Sequence, residues 1–195
     1  MTIYLYLRYL FNIVMLIIDI SLTFLGEETH PPHLETYQQD KENELVLVSR
    51  LCQPSERNES IRMTRFLADK TQENVFVLTH IQPTKKDADS MRKELFPEGV
   101  KDDKNPDYYF RGRFLDGKNM ISITMKPDNS KAIKRKIQNR FDEAFEQADD
   151  AFIEINTSIP MDLIKEAVKG KLASSQHRHI VYVKYGDDLL VFDEK

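Results

Sequence analysis

The sequence predicts an α/β domain with a mixed sheet covered by helices, and three observations lead there. The continuous apolar run at residues 75–78 has the length and composition of a strand buried on both faces, and residues 151–155 read as a second buried strand. Ile133, Ile137, Phe141, Ala144, Phe145 and Ala148 form an i, i+4, i+8 stripe, which predicts an amphipathic helix of about 17 residues beginning near Lys131. The order helix, strand, hairpin, helix, strand, helix, hairpin alternates the two element types along the chain.

The totals set limits on this. A chain of 195 residues with 41% hydrophobic residues fits one domain with an ordinary core plus an appendage. A formal net charge of −4 argues against bulk attraction to nucleic acid, so any such binding needs a local basic patch. The single cysteine, Cys52, allows neither an internal disulfide nor a cysteine-based zinc cage, which suits a reducing compartment. No tandem repeat, heptad, Walker loop, dinucleotide fingerprint or nucleophile elbow is present.

Residues 1–25 are Leu, Ile, Tyr, Phe and Val with only Arg8 and Asp19 charged, close to the roughly 20 residues a helix needs to cross a bilayer. Three readings stand. As a membrane anchor the segment must carry Asp19, at about 2.5–3.5 kcal/mol if it sits at the helix centre. As a translated leader upstream of the true start it has no structural role. A signal peptide ranks behind both, because Arg8 is the only basic residue and no small-residue cleavage site precedes Glu27. Residues 26–43 are polar, contain Pro31-Pro32 and read as a linker, with His30 and His33 lacking a third ligand. The folded domain is then 44–195.

Within it, residues 45–48 form a short apolar run that suits either a strand or the approach to a helix. Ser55 offers an N-cap, and Ile61, Met63, Phe66 and Leu67 give that helix an apolar face. Glu59 stands four residues before Met63 and eight before Leu67, at the core-facing edge, where a carboxylate is costly unless paired or metal-bound. Glu56 is the alternative acid. Residues 88–95 predict a short helix, and 101–104 an exposed loop. His80, which closes the strand at 75–78, reads as structural. Beyond the central hairpin, residues 120–125 extend the sheet. Residues 160–172 form a second amphipathic helix, and 180–185 with 189–192 form a closing hairpin turned by Gly186-Asp187-Asp188.

The chemistry concentrates in the hairpin. Apolar and aromatic residues flank Arg111-Gly112-Arg113, which predicts two strands joined by a tight, glycine-centred turn. Side chains alternate along a strand, so Asp116 and Lys118 share a face while Gly117 turns the other way. Asp107 precedes the first strand behind Pro106, and folding the hairpin returns Asp116 towards it. Carboxylate oxygens of this kind hold Mg²⁺ or a similar ion, and the lysine stabilises developing charge on a phosphoryl group or orients the nucleophile.

Pro106-Asp107, the gap that follows and Asp116-Gly117-Lys118 resemble the PD-(D/E)xK nuclease motif. The wider pattern resembles the C-terminal tRNA-nuclease domain of CdiA-type contact-dependent inhibition toxins, a domain also found in phage and mobile-element proteins. Residues 58–68 are similar to that family's first helix, whose glutamate completes the metal site. Residues 147–155, with Gln147-Ala148-Asp149, are similar to its late helix-to-strand step. The likeness spans roughly residues 55–192.

It implies a restriction-endonuclease-like mixed sheet flanked by helices and a metal-dependent endonuclease acting on tRNA or other structured RNA. Glu59, Asp107 and Asp116 would hold a divalent ion, Mg²⁺ first, with Mn²⁺ or Zn²⁺ as alternatives. Lys118 would assist attack by water, and Gln147, preferred over Gln138, would orient a phosphate or the lysine. Lys131, Lys134, Arg135 and Arg140 give the first half of the long helix a basic face that would track phosphates. An immunity or neutralising protein is the expected partner of a toxin-like chain. The folded domain would be cytoplasmic, or membrane-anchored if residues 1–25 insert. Nothing in the residues identifies a 2′-hydroxyl contact, so a DNA nuclease of the same fold stays open. A non-catalytic nucleic-acid-binding or phage structural module, or an interaction protein organised by residues 1–25, are the rival readings.

Overall fold

The computed structural model describes residues 37–52, 54–81, 88–96, 104–124 and 129–193, without the side chains of 54–57 and 94. The apolar stretch at 1–25, His30 and His33 lie outside these residues, as do the side chains of Ser55 and Glu56. No helix among the described residues is long and apolar enough to cross a membrane.

Among the described residues eight strands form one mixed sheet in sequential order, flanked by helices. Strand β1 (Tyr37–Gln39) pairs antiparallel with β2 (Val46–Ser49), and β2 runs parallel to β3 (Val75–Val77) through helix α1 (Pro54–Thr71). Helix α2 (Ala88–Leu95) precedes the central hairpin of β4 (Tyr108–Phe110) and β5 (Arg113–Met120). From β5 the chain runs through α3 (Ser130–Gln147), β6 (Asp150–Ile155), α4 (Met161–Ser174) and β7 (Ile180–Tyr185), with β5, β6 and β7 parallel, and closes with antiparallel β8 (Asp188–Asp193).

The two faces carry different helices. Met63 and Leu67 of α1 pack on Val46, Val75, Tyr108, Leu115, Phe152 and Tyr182. On the opposite face Ile133, Ile137 and Phe141 of α3 join Ile164 and Val168 of α4 over Met120, Ile153 and Val183. Helix α2 covers Phe76, Tyr109 and Phe114, and Ala148 belongs to the same cluster. The predicted stripe on α3 is therefore its buried face.

The turn between β4 and β5 has two residues, and both take a positive φ, 51° at Arg111 and 76° at Gly112. That is the signature of a type I′ turn, whose twist matches the strands it joins. Two segments differ from the sequence reading. Tyr37–Gln39 lies in the predicted linker yet adds an edge strand, held by pairing with β2 rather than by any hydrophobic period of its own. Strand β5 stops at Met120 instead of running on to 125, because the Asn119 side chain accepts the Ile121 N–H at 2.8 Å and turns the backbone outward.

Candidate functional site

Strand β4 is short and β5 is long, and the mismatch creates the site. The β3–β4 ladder ends where Leu78 N–H donates to Asp107 O at 2.9 Å, and the β4–β5 ladder where Asp107 N–H donates to Leu115 O at 3.0 Å. Beyond that point residues 116–120 pair only with β6. On their other edge stands Asp107, whose Oδ2 accepts the Gly117 N–H at 2.8 Å. A cleft of about 450 Å³ occupies this notch, lined by Asp107, Gly117, Lys118 and Asn119, with Glu59 and Ser60 from α1, Arg140 from α3, and His80.

Period-two alternation puts Leu115 and Gly117 towards α1 and Asp116, Lys118 and Met120 towards α3. A Cβ on Gly117 would meet the Tyr108 ring at 2.7 Å, so the buried tyrosine lies flat over this point of β5.

The two carboxyl groups touch. Asp116 is 3% exposed and lies within hydrogen-bonding reach of Asp107. Its pKa is pushed up to about 7, first by burial and then by the charge of Asp107, against the pull of Lys118. Asp107 is also raised, again chiefly by burial, although the Gly117 amide, Lys118 and His80 favour its charged form. Such a pair holds a proton between its members near neutral pH, because two adjacent buried carboxylates do not both ionise freely. Lys118 Nζ forms an ion pair with Asp116 Oδ2. Among the described residues no other donor reaches that buried oxygen.

Glu59 stands on the α1 side of the same cleft, where its Oε1 accepts a hydrogen bond from Asn119 Nδ2. Lys118 and Glu59 thus reach the notch from opposite faces of the sheet. Among the described residues no three His, Cys, Asp or Glu side chains stand together as a ready cation cage.

Comparison with family models, with curated proteins and with solved structures finds no match. The reading of the site therefore rests on its own chemistry.

That chemistry fits a hard divalent ion in two respects. Among the described residues buried Asp116 Oδ2 meets no donor besides the Lys118 ammonium, and a carboxyl pair resists ionisation that a cation would favour. Asp107 and Asp116 would hold the ion, whereas Glu59, predicted as the third ligand, is bonded to Asn119 and does not stand with them.

Gln147 is not among the residues lining the cleft. Its Oε1 accepts the Asn105 N–H at 3.4 Å, and Asn105 Oδ1 accepts the Ile81 N–H at 3.1 Å. These contacts steady the two chain segments that carry Asp107 and His80. Gln138 points the other way, its Nε2 donating to Ala167 O at 3.4 Å.

The basic residues of α3 divide. Arg140 lines the cleft, while Lys131, Lys134 and Arg135 line a separate groove between α3 and α4. His80, read as structural from the sequence, is exposed and lines the cleft. Its signal was faint: it stands just beyond the apolar run of the strand that pairs with the hairpin. Asn119 and Ser60 carried no signal, because their place depends on how α1 crosses β5.

Proposed function

We propose that this chain is a metal-dependent phosphodiesterase of PD-(D/E)xK type, an endonuclease whose favoured substrate is tRNA or another structured RNA. One observation carries the reading: half-buried Asp107 lines an open cleft and lies within hydrogen-bonding reach of buried Asp116 just behind it, with Lys118 on the next same-face position of the strand and Arg140 entering the cleft from α3. The preference for RNA rests on the sequence resemblance alone.

A divalent ion bound by Asp107 and Asp116 supplies polarisation of the phosphoryl oxygen and a more acidic water. Lys118 places its ammonium beside Asp116, positioned to stabilise negative charge growing on the phosphate or to orient the attacking water. Arg140, 43% exposed at its side chain and paired with Glu143, offers a guanidinium to an adjacent phosphate. His80 stands on the Asp107 side of the cleft, able to donate to a phosphate or leaving oxygen.

A non-catalytic nucleic-acid-binding module is favoured by one observation, the engagement of Glu59 with Asn119 in place of a third carboxylate beside the aspartates. The deciding experiment incubates the full chain with total RNA or plasmid DNA, with and without Mg²⁺ or Mn²⁺. Wild-type cutting that needs the ion and falls at least about a hundredfold in Asp116→Asn and in Lys118→Ala supports the enzyme. Binding without cutting supports the module.

A further inference from the structure

We infer that the groove between α3 and α4 is a second phosphate-binding site, which grips a part of the nucleic acid remote from the cleft. The inference rests on the nucleic-acid reading of the cleft and adds to it a bipartite hold on a long, structured substrate.

The groove has a volume of about 550 Å³, and among the described residues Lys131, Lys134, Arg135 and Lys171 line it against a single carboxylate, Asp142. Lys171 pairs with Asp142, and Lys134 pairs with Glu166. Lys131 and Arg135 are exposed and make no ion pair among the described residues. In a protein of net charge −4, unpaired cations gathered in one concavity are a local inversion of the molecule's field.

Gly170 sits within α4 and lines the groove, where helix propensity alone favours alanine by about 1 kcal/mol. A Cβ there would stand 3.4 Å from Gln138 Nε2, so the missing side chain makes room for that amide on the wall of the groove. Gln138 and Asn139 add amide donors suited to phosphate oxygens.

Geometry separates this site from the cleft. Arg140 projects from one flank of α3, whereas Lys131, Arg135 and Gln138 lie on the other, on the far side of the buried stripe. Lys131 and Arg140 are about 14 Å apart along the axis at the usual rise per residue, and the helix stands between them. One phosphate cannot touch both. Reaching both would take a duplex or folded RNA that offers separate phosphates to the two flanks of α3.

The test measures binding of the full chain to an RNA hairpin of about 20 base pairs in chelator, so that no cleavage intervenes, while salt is varied. Lys131→Ala/Arg135→Ala should flatten the slope of log affinity against log salt by about 2, since each phosphate contact contributes about 0.9. Wild type should then lose about tenfold more affinity than the double variant between roughly 50 and 200 mM salt.

Lys165→Ala/Lys169→Ala removes the same charge from exposed positions of α4 outside the groove and should keep the wild-type slope. Equal slopes for wild type and Lys131→Ala/Arg135→Ala overturn the site and leave the groove to an acidic protein surface. An equal fall in both double variants also overturns it, as general charge attraction. A chain that shows the predicted slopes yet never cuts RNA or DNA upholds the groove and sinks the nuclease reading. A chain that cuts, with equal slopes, does the reverse.

Discussion

An added methyl at Gly117 would stand 2.7 Å from Cε2 and 2.8 Å from Oη of Tyr108, a ring that is 2% exposed and packed under α1. Neither the ring nor the strand has room to yield, because Gly117 N–H is also held by Asp107. Gly117→Ala should therefore cost about 1–3 kcal/mol of stability in urea unfolding, the usual range for overpacking a filled core. The same shift should displace Asp116 and Lys118, so cleavage should fall further than the lost stability explains. At this scale the sequence was informative where geometry is local. Two-residue periodicity and a tight turn suffice to bring Asp116 and Lys118 to one face and Asp107 back towards them. It was silent on Asn119 and His80, whose importance depends on neighbours remote in the chain.

Glu154 lies in mid-strand on β6, 4% exposed, opposite Asn119 of β5 and Lys184 of β7. Burial raises its pKa, but the Arg62 guanidinium and the Lys184 ammonium more than offset that, so it sits below the usual glutamate range. Arg62 Nη1 donates to it at 2.8 Å from the same helix that carries Glu59. This pair ties α1 to the sheet close to the cleft, and truncation leaves Lys184, with 17% of its side chain exposed, uncompensated. Glu154→Ala should destabilise by about 3 kcal/mol, read from the urea midpoint, because removing one partner of a buried pair strands the other charge. Among the elements, α3 and α4 were legible because apolar spacing and punctuation agree over whole turns. Strand β1 was not, since Tyr-Gln-Gln has no period to read and is ordered by β2. The split of α3's basic residues was equally hidden. A helical wheel locates the buried stripe but not the flank on which a cleft opens.

The sheet as a whole places its charged centre at one notch, where a three-residue strand lies beside an eight-residue one. The succession of helices, strands and hairpins along the chain could be anticipated from the sequence, whereas the order of strands in the sheet and the notch follow from long-range pairing. Its consequence is a linkage between pH, cation and stability. Asp116 carries a folded pKa near 7 against an unfolded value near 3.8, so the folded state holds the extra proton between those values. Its contribution to stability is then most favourable below pH 4, is lost as pH rises towards 7, and changes little above. A cation held between the carboxylates, as proposed, would reverse that loss, and only where the carboxylates are otherwise ionised.

Thermal unfolding of the full chain at pH 5 and pH 8, with and without Mn²⁺, tests this most directly. Mn²⁺ should raise the wild-type Tm at pH 8 and much less at pH 5, with about 3 kcal/mol gained once the free ion is a hundredfold above its Kd. Asp116→Asn should begin with a higher Tm than wild type at pH 8 and should not respond to the ion. A wild-type Tm indifferent to Mn²⁺ at both pH values, or a variant that responds as the wild type does, would contradict it.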